Sequence, residues 1–182
     1  VIACNLQSAI CNLSEGPMFQ LKSLSNDGIS AALDKAVRYR LLNEAREAES
    51  ICLDILEIDP ENQAALVILL LSITDQFGRR DPDATRHARA LLPRLHDEYE
   101  RTYYAGIIFE RQAKAILKRG TPGGGSQAYD LLRNAMDLFE KAESIRPPGN
   151  DDALLRWNTC ARTIMRYKLT QRQEDYVEPF LE

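Results

Sequence analysis

A spacing of four and then three residues between small or apolar side chains, closed by a proline, occurs twice in this chain. Ala48, Cys52 and Ile55 precede Pro60, and Ala135, Phe139 and Ala142 precede Pro147. Such spacing puts side chains on one face of an α-helix. Proline then disfavours helical geometry in the residue before it. A unit that recurs inside one chain buries its apolar face against neighbouring copies, so the recurrence constrains architecture before chemistry.

The helical period extends along most of the sequence. Residues 26–42 are predicted as a helix, with Asp27 as its N-cap and Ile29, Leu33, Ala36, Val37 and Leu41 on its inner face. Asn43 marks a break, because asparagine tolerates left-handed backbone. A second helix over 44–58 turns Ala45, Ala48, Ile51, Cys52, Ile55 and Ile58 inward and stops at Asp59-Pro60. A third, over 62–77, is apolar nearly all round from Ala64 to Leu71, so it should be buried on more than one side. Gly78 ends it. Asp81-Pro82 is expected to open a fourth helix, with Ala84, Ala88 and Leu91 inward and Pro93 at its end. A long fifth helix covers 97–118. Gly120 to Ser126 reads as a loop, a sixth helix covers 127–145, and Pro147-Pro148-Gly149 breaks the chain before a seventh at 151–169. No segment shows strand alternation. The expected fold is all-α, about seven helices paired in order as hairpins.

Composition excludes some functions. A net charge of -4 argues against a nucleic-acid partner, whose affinity rests on Lys and Arg neutralising phosphates. It also disfavours a membrane surface. The longest apolar run, Ala64 to Leu71, falls far short of the roughly 18 residues of a membrane-spanning helix. Cys4, Cys11, Cys52 and Cys160 form no CxxC, and Cys52 and Cys160 fall at inner helix positions. Free buried thiols and a cytoplasmic setting are therefore expected. Residues 1–25 are read as a leader. Within it, residues 1–17 lack the charged and apolar regions of a signal peptide, and Met18 is a candidate native start. Ile2, Leu6, Ile10 and Leu13 leave two readings open, a loose leader or a docked short helix. Residues 170–182 form an acidic tail.

The units resemble tetratricopeptide repeats, helix hairpins of about 34 residues with small residues where the helices cross and a proline at the close. Ala36, Tyr39, Ala48, Cys52, Ile55 and Pro60 carry the first unit (29–60), and Leu56 to Asn62 looks like the usual repeat junction. Leu66, Leu69, Ile73, Ala84, Ala88 and Leu91 carry the second (62–93), although Leu70 stands where a small residue is usual and the proline is displaced to Pro93. Gly106, Phe109, Ala135, Phe139, Ala142 and Pro147 carry an overlong third (97–147), and Trp157 and Ala161 mark a cap helix (151–169). The resemblance implies a right-handed α-solenoid over residues 26–169, with a concave groove lined by the first helix of each hairpin.

The groove positions that the resemblance implies are Leu33, Val37 and Arg40, then Val67, Leu71 and Thr74, then Tyr103, Ile107 and Glu110, with Arg111 at the edge and Leu155 extending the row. The family's carboxylate-clamping mode would fall on Leu33, Val37, Ile68, Glu100 and Tyr104, where Glu100 would repel a carboxylate. The expected function is thus a non-enzymatic module that takes an apolar peptide or amphipathic helix of a protein partner, with Arg40 and Arg111 orienting acidic groups on it. Three accounts of the apolar groove stay open: a partner, the chain's own termini (Ile2, Leu6 and Ile10, or Tyr176, Val177, Phe180 and Leu181), or plain core. The alternative function is a structural or assembly subunit that associates through its edge helices.

Nothing in the sequence calls for catalysis, a cofactor or a metal. His87 and His96 lie apart from any ligand set. Gly123-Gly124-Gly125-Ser126 lacks the Gly-Lys ending of a phosphate loop and reads as a flexible linker. Arg111, Lys114, Lys118 and Arg119 form one basic group, and Arg79, Arg80, Arg86, Arg89 and Arg94 another. Both read as solvated charge near helix ends. Trp157 is expected in the core.

Overall fold

Helix formation follows the four-and-three spacing closely. The computed structural model describes residues 19–78 and 83–171. Among these residues are seven α-helices: α1 (Ile29–Leu41), α2 (Ala45–Ile58), α3 (Gln63–Asp75), α4 (Ala84–Leu91), α5 (Glu98–Arg119), α6 (Gly124–Ser144) and α7 (Asp152–Tyr167). They pack in sequential antiparallel pairs, and α3 also touches both α1 and α5. The leader stripe, Cys4, Cys11, Met18, Arg79, Arg80, Asp81-Pro82 and the apolar residues of the tail lie outside the described residues.

Side chains and backbone set the helix ends. Asn62 Oδ1 accepts from the Ala65 N–H at 3.0 Å, and Asp97 Oδ1 accepts from the Glu100 N–H at 2.9 Å. Each bond satisfies a donor that the first turn would leave unpaired. Asn43 makes the turn between α1 and α2 with φ of 62°, as its side chain permits. Three expectations need correction. Leu41, expected on the inner face of α1, is 79% exposed at its last turn. Asp27 does not cap α1; it sits in a single 3-10 turn (Asn26–Gly28), and Gly28 takes the cap position. Nor is Gly123 to Ser126 a linker, since α6 already starts at Gly124. Gly124 is buried, and a Cβ there would lie 3.0 Å from Ile116 Cγ2. Packing on α5 thus draws the glycines into the helix, and the chain reverses over Gly120 and Gly123, both at positive φ.

Two hydrophobic clusters form the interior. The first joins α1 to α4 through Ala36, Ala48, Cys52, Leu66, Leu70, Ala88 and Leu91. As its sequence requires, α3 is buried on several sides, down to the polar Ser72 and Thr74. The hydroxyls of these two residues bond back to the carbonyls of Ile68 and Leu70. The second cluster joins α5 to α7 through Ile107, Ile116, Leu132, Phe139, Ala153 and Cys160. At its centre α5 and α6 approach so closely that a Cβ on Gly106 would lie 2.6 Å from Phe139 Cε1. Leu71 and Tyr104 pack against both clusters.

Candidate functional site

The odd-numbered helices bring most of the expected groove residues onto neighbouring elements. Leu33 and Val37 come from α1, Val67 and Leu71 from α3, and Tyr103 from α5. Val37 is 42% exposed, whereas Leu33, Val67, Leu71 and Tyr103 are half-buried. Thr74, Ile107 and Glu110 are buried and offer a partner no side-chain surface.

The middle of this face is ionic. Asp75, the last residue of α3, accepts from Arg40 Nε of α1 at 2.9 Å and pairs with Arg111 Nη1 of α5 at 2.7 Å. The same Arg111 nitrogen donates to the Leu71 carbonyl at 2.8 Å and to Thr74 Oγ1 at 2.5 Å. Arg111 is therefore an internal cross-brace rather than a solvated charge. Burial lowers its pKa, and the Asp75 carboxylate opposes that shift.

Immediately before Arg111 on α5, Glu110 has no exposed surface and pairs with Lys114 and, at 3.5 Å, with Arg156 Nη1 of α7. Its Oε2 has no hydrogen-bond partner among the described residues. Burial alone would lower the pKa of Arg156. A hydrogen bond with Tyr103 and the Glu110 carboxylate reverse the balance and raise it. Tyr103 also stacks on Tyr99 at 5.7 Å and meets Tyr104 edge-on at 5.2 Å. Beneath this group lies Cys160, whose thiol is pushed up to about 12 from 9.0, first by burial and then by Glu110. Cys52 is likewise raised to about 12, chiefly by burial. Both thiols are free and buried.

Past Asp75 the face opens into a cleft of about 590 Å³. Arg40, Asp75, Lys118 and Arg119 supply its charge, and Ala45, Phe77 and Ala115 give it apolar walls. In the sequence, Lys118 and Arg119 stood out only as basic residues at a helix end. Asp75 and Arg156 carried no signal, because acidic and basic residues at helix ends look solvated. The second basic region is dispersed: Arg86 pairs with Asp83, Arg89 lies 5.0 Å over the Phe109 ring, and Arg94 donates to the Pro60 carbonyl. Trp157 is half-buried rather than core, with its indole N–H on Glu140 at 2.8 Å.

No group of three or more His, Cys, Asp or Glu side chains is placed to hold a metal among the described residues, and no helix there is long and apolar enough to cross a membrane. No family model matches this sequence, and no curated protein or solved structure matches it either.

Proposed function

We propose that this chain is a non-enzymatic protein-interaction module, a tetratricopeptide-like right-handed solenoid that binds an amphipathic segment of a partner along α1, α3 and α5. One observation carries this reading. Asp75 ties α1, α3 and α5 together, while Val37 stays 42% exposed beside the half-buried Leu33, Val67 and Leu71. A braced face with an uncovered apolar strip suits helix-in-groove recognition, because little ordering remains to be done on binding. The ionic middle shifts the expected ligand from purely apolar to amphipathic. The buried free thiols support a reducing, cytoplasmic setting.

Affinity capture from the source cell tests the reading. Val37→Asp changes an exposed position, so the helical circular dichroism should persist while captured partners fall by about tenfold, as one buried apolar contact would predict. Partners retained by a folded Val37→Asp protein would overturn it. A second reading, an assembly subunit, draws on α7, where Leu155 is 58% and Met165 67% exposed. A stable dimer in light scattering that Leu155→Glu dissociates would favour it instead.

A further inference from the structure

We infer that the cleft at the ends of α1, α3 and α5 receives the carboxylates of an acidic peptide segment. The inference deepens the proposed function, since it rests on a partner lying along the same face. Among the described residues, three cations, Arg40, Lys118 and Arg119, line the cleft against the single carboxylate of Asp75. That carboxylate is already engaged by Arg40 and Arg111. Lys118 and Arg119 have no ion pair among the described residues, and both are exposed. This positive site lies on a chain whose net charge is -4, so it is a local feature and not part of a general basic surface.

Cations near the C-terminal ends of helices have a plain explanation in the helix dipole. Ala45, the first residue of α2, lines the same cleft, so one N-terminal end there offsets one of the three C-terminal ends. The shape also suits a peptide. About 590 Å³ holds a few side chains, and Phe77 and Ala115 offer a bed for the methylenes of glutamate. Single-stranded RNA fits less well: Phe77 is the only aromatic residue lining the cleft among the described residues, and stacking needs a platform.

The test uses fluorescence anisotropy with the full chain and four labelled probes: a Glu–Leu octapeptide, its Gln–Leu and Lys–Leu counterparts and an oligouridylate. The Glu–Leu peptide should bind at least about tenfold more tightly than the Gln–Leu peptide, and the advantage should vanish at high salt. Lys118→Ala with Arg119→Ala should remove that advantage, and both positions are exposed enough to spare the fold. Lys118→Glu with Arg119→Glu should transfer the preference to a Lys–Leu peptide, which no loss of folding could imitate. Equal binding of the Glu–Leu and Gln–Leu peptides, an unchanged preference in the Ala variant, or tighter binding of the oligouridylate would overturn the inference. If both peptides bind equally and Val37→Asp abolishes both, the inference fails while the groove reading stands.

Discussion

The α3/α4 and α5/α6 hairpins solve one packing problem in opposite ways. In α5/α6 the crossing depends on a missing side chain: Gly106 lets the Phe139 ring reach the α5 backbone. The two helices then run together over their length, Glu98–Arg119 against Gly124–Ser144. In α3/α4 the corresponding position carries Leu70, fully buried, and α4 spans only Ala84–Leu91. Around Thr85, Arg89, Gln112 and Leu131 a cleft of about 300 Å³ remains where α4 faces α5 and α6. Close approach in α5/α6 thus depends on one small residue at the crossing, whereas α3, with Leu70, pairs with a much shorter helix.

The largest expected effect comes from emptying the tight crossing. Phe139→Ala should cost about 3–5 kcal/mol, from lost burial plus an unfilled cavity, measured by urea denaturation. Gly106→Ala approaches the same contact from the other side. Its Cβ would press on the ring, costing about 1–3 kcal/mol despite the better helix propensity of alanine. Gly106→Ala with Phe139→Leu should recover part of that loss. If Gly106→Ala proves neutral, the contrast between the hairpins is not one of close approach.

A smaller change tests the tie between the two regions. Asp75→Ala leaves Arg111, only 18% exposed in its side chain, without its carboxylate. It should destabilise by about 1–3 kcal/mol, and hydrogen exchange should speed up in α1 and α3 more than in α6. Uniform exchange would show that Asp75 does not couple the units.

The least effect at neutral pH is expected from the thiols, one in each cluster. Cys52 and Cys160 have folded pKa values raised to about 12 from 9.0. Their contribution to stability is complete below about pH 9 and is lost as pH rises from there toward 12, because the unfolded thiols ionise first. Cys52 and Cys160 should resist a thiol-specific reagent at pH 8, read by peptide mapping that separates them from Cys4 and Cys11, and the alkaline loss should shrink in Cys52→Ala. Rapid labelling of Cys52 or Cys160 at pH 8 would contradict the burial of its cluster.

The helices were legible because apolar spacing reports burial directly. Ala36, Ala48, Cys52, Phe139 and Ala142 all point inward as their positions require. The α6 start was hidden because Gly124 and Gly125 look like helix breakers, and only contact with Ile116 makes glycine the suitable residue there. The site was less legible for a related reason. A charged side chain reads as solvated unless its counterion is known, and those counterions lie far away in sequence. Arg40 meets Asp75, Asp75 meets Arg111, and Glu110 meets Arg156, each across separate helices. No local pattern announces such pairs.

One carboxylate shared by three helices has a mechanical consequence. In a stack whose units touch only their neighbours, an end unit can peel away while the rest stays closed. Here α1 cannot leave without unfastening Arg40 from Asp75, which also holds Arg111. Pulled from its N-terminal end, the chain should therefore yield in fewer, larger steps than its count of hairpins would suggest.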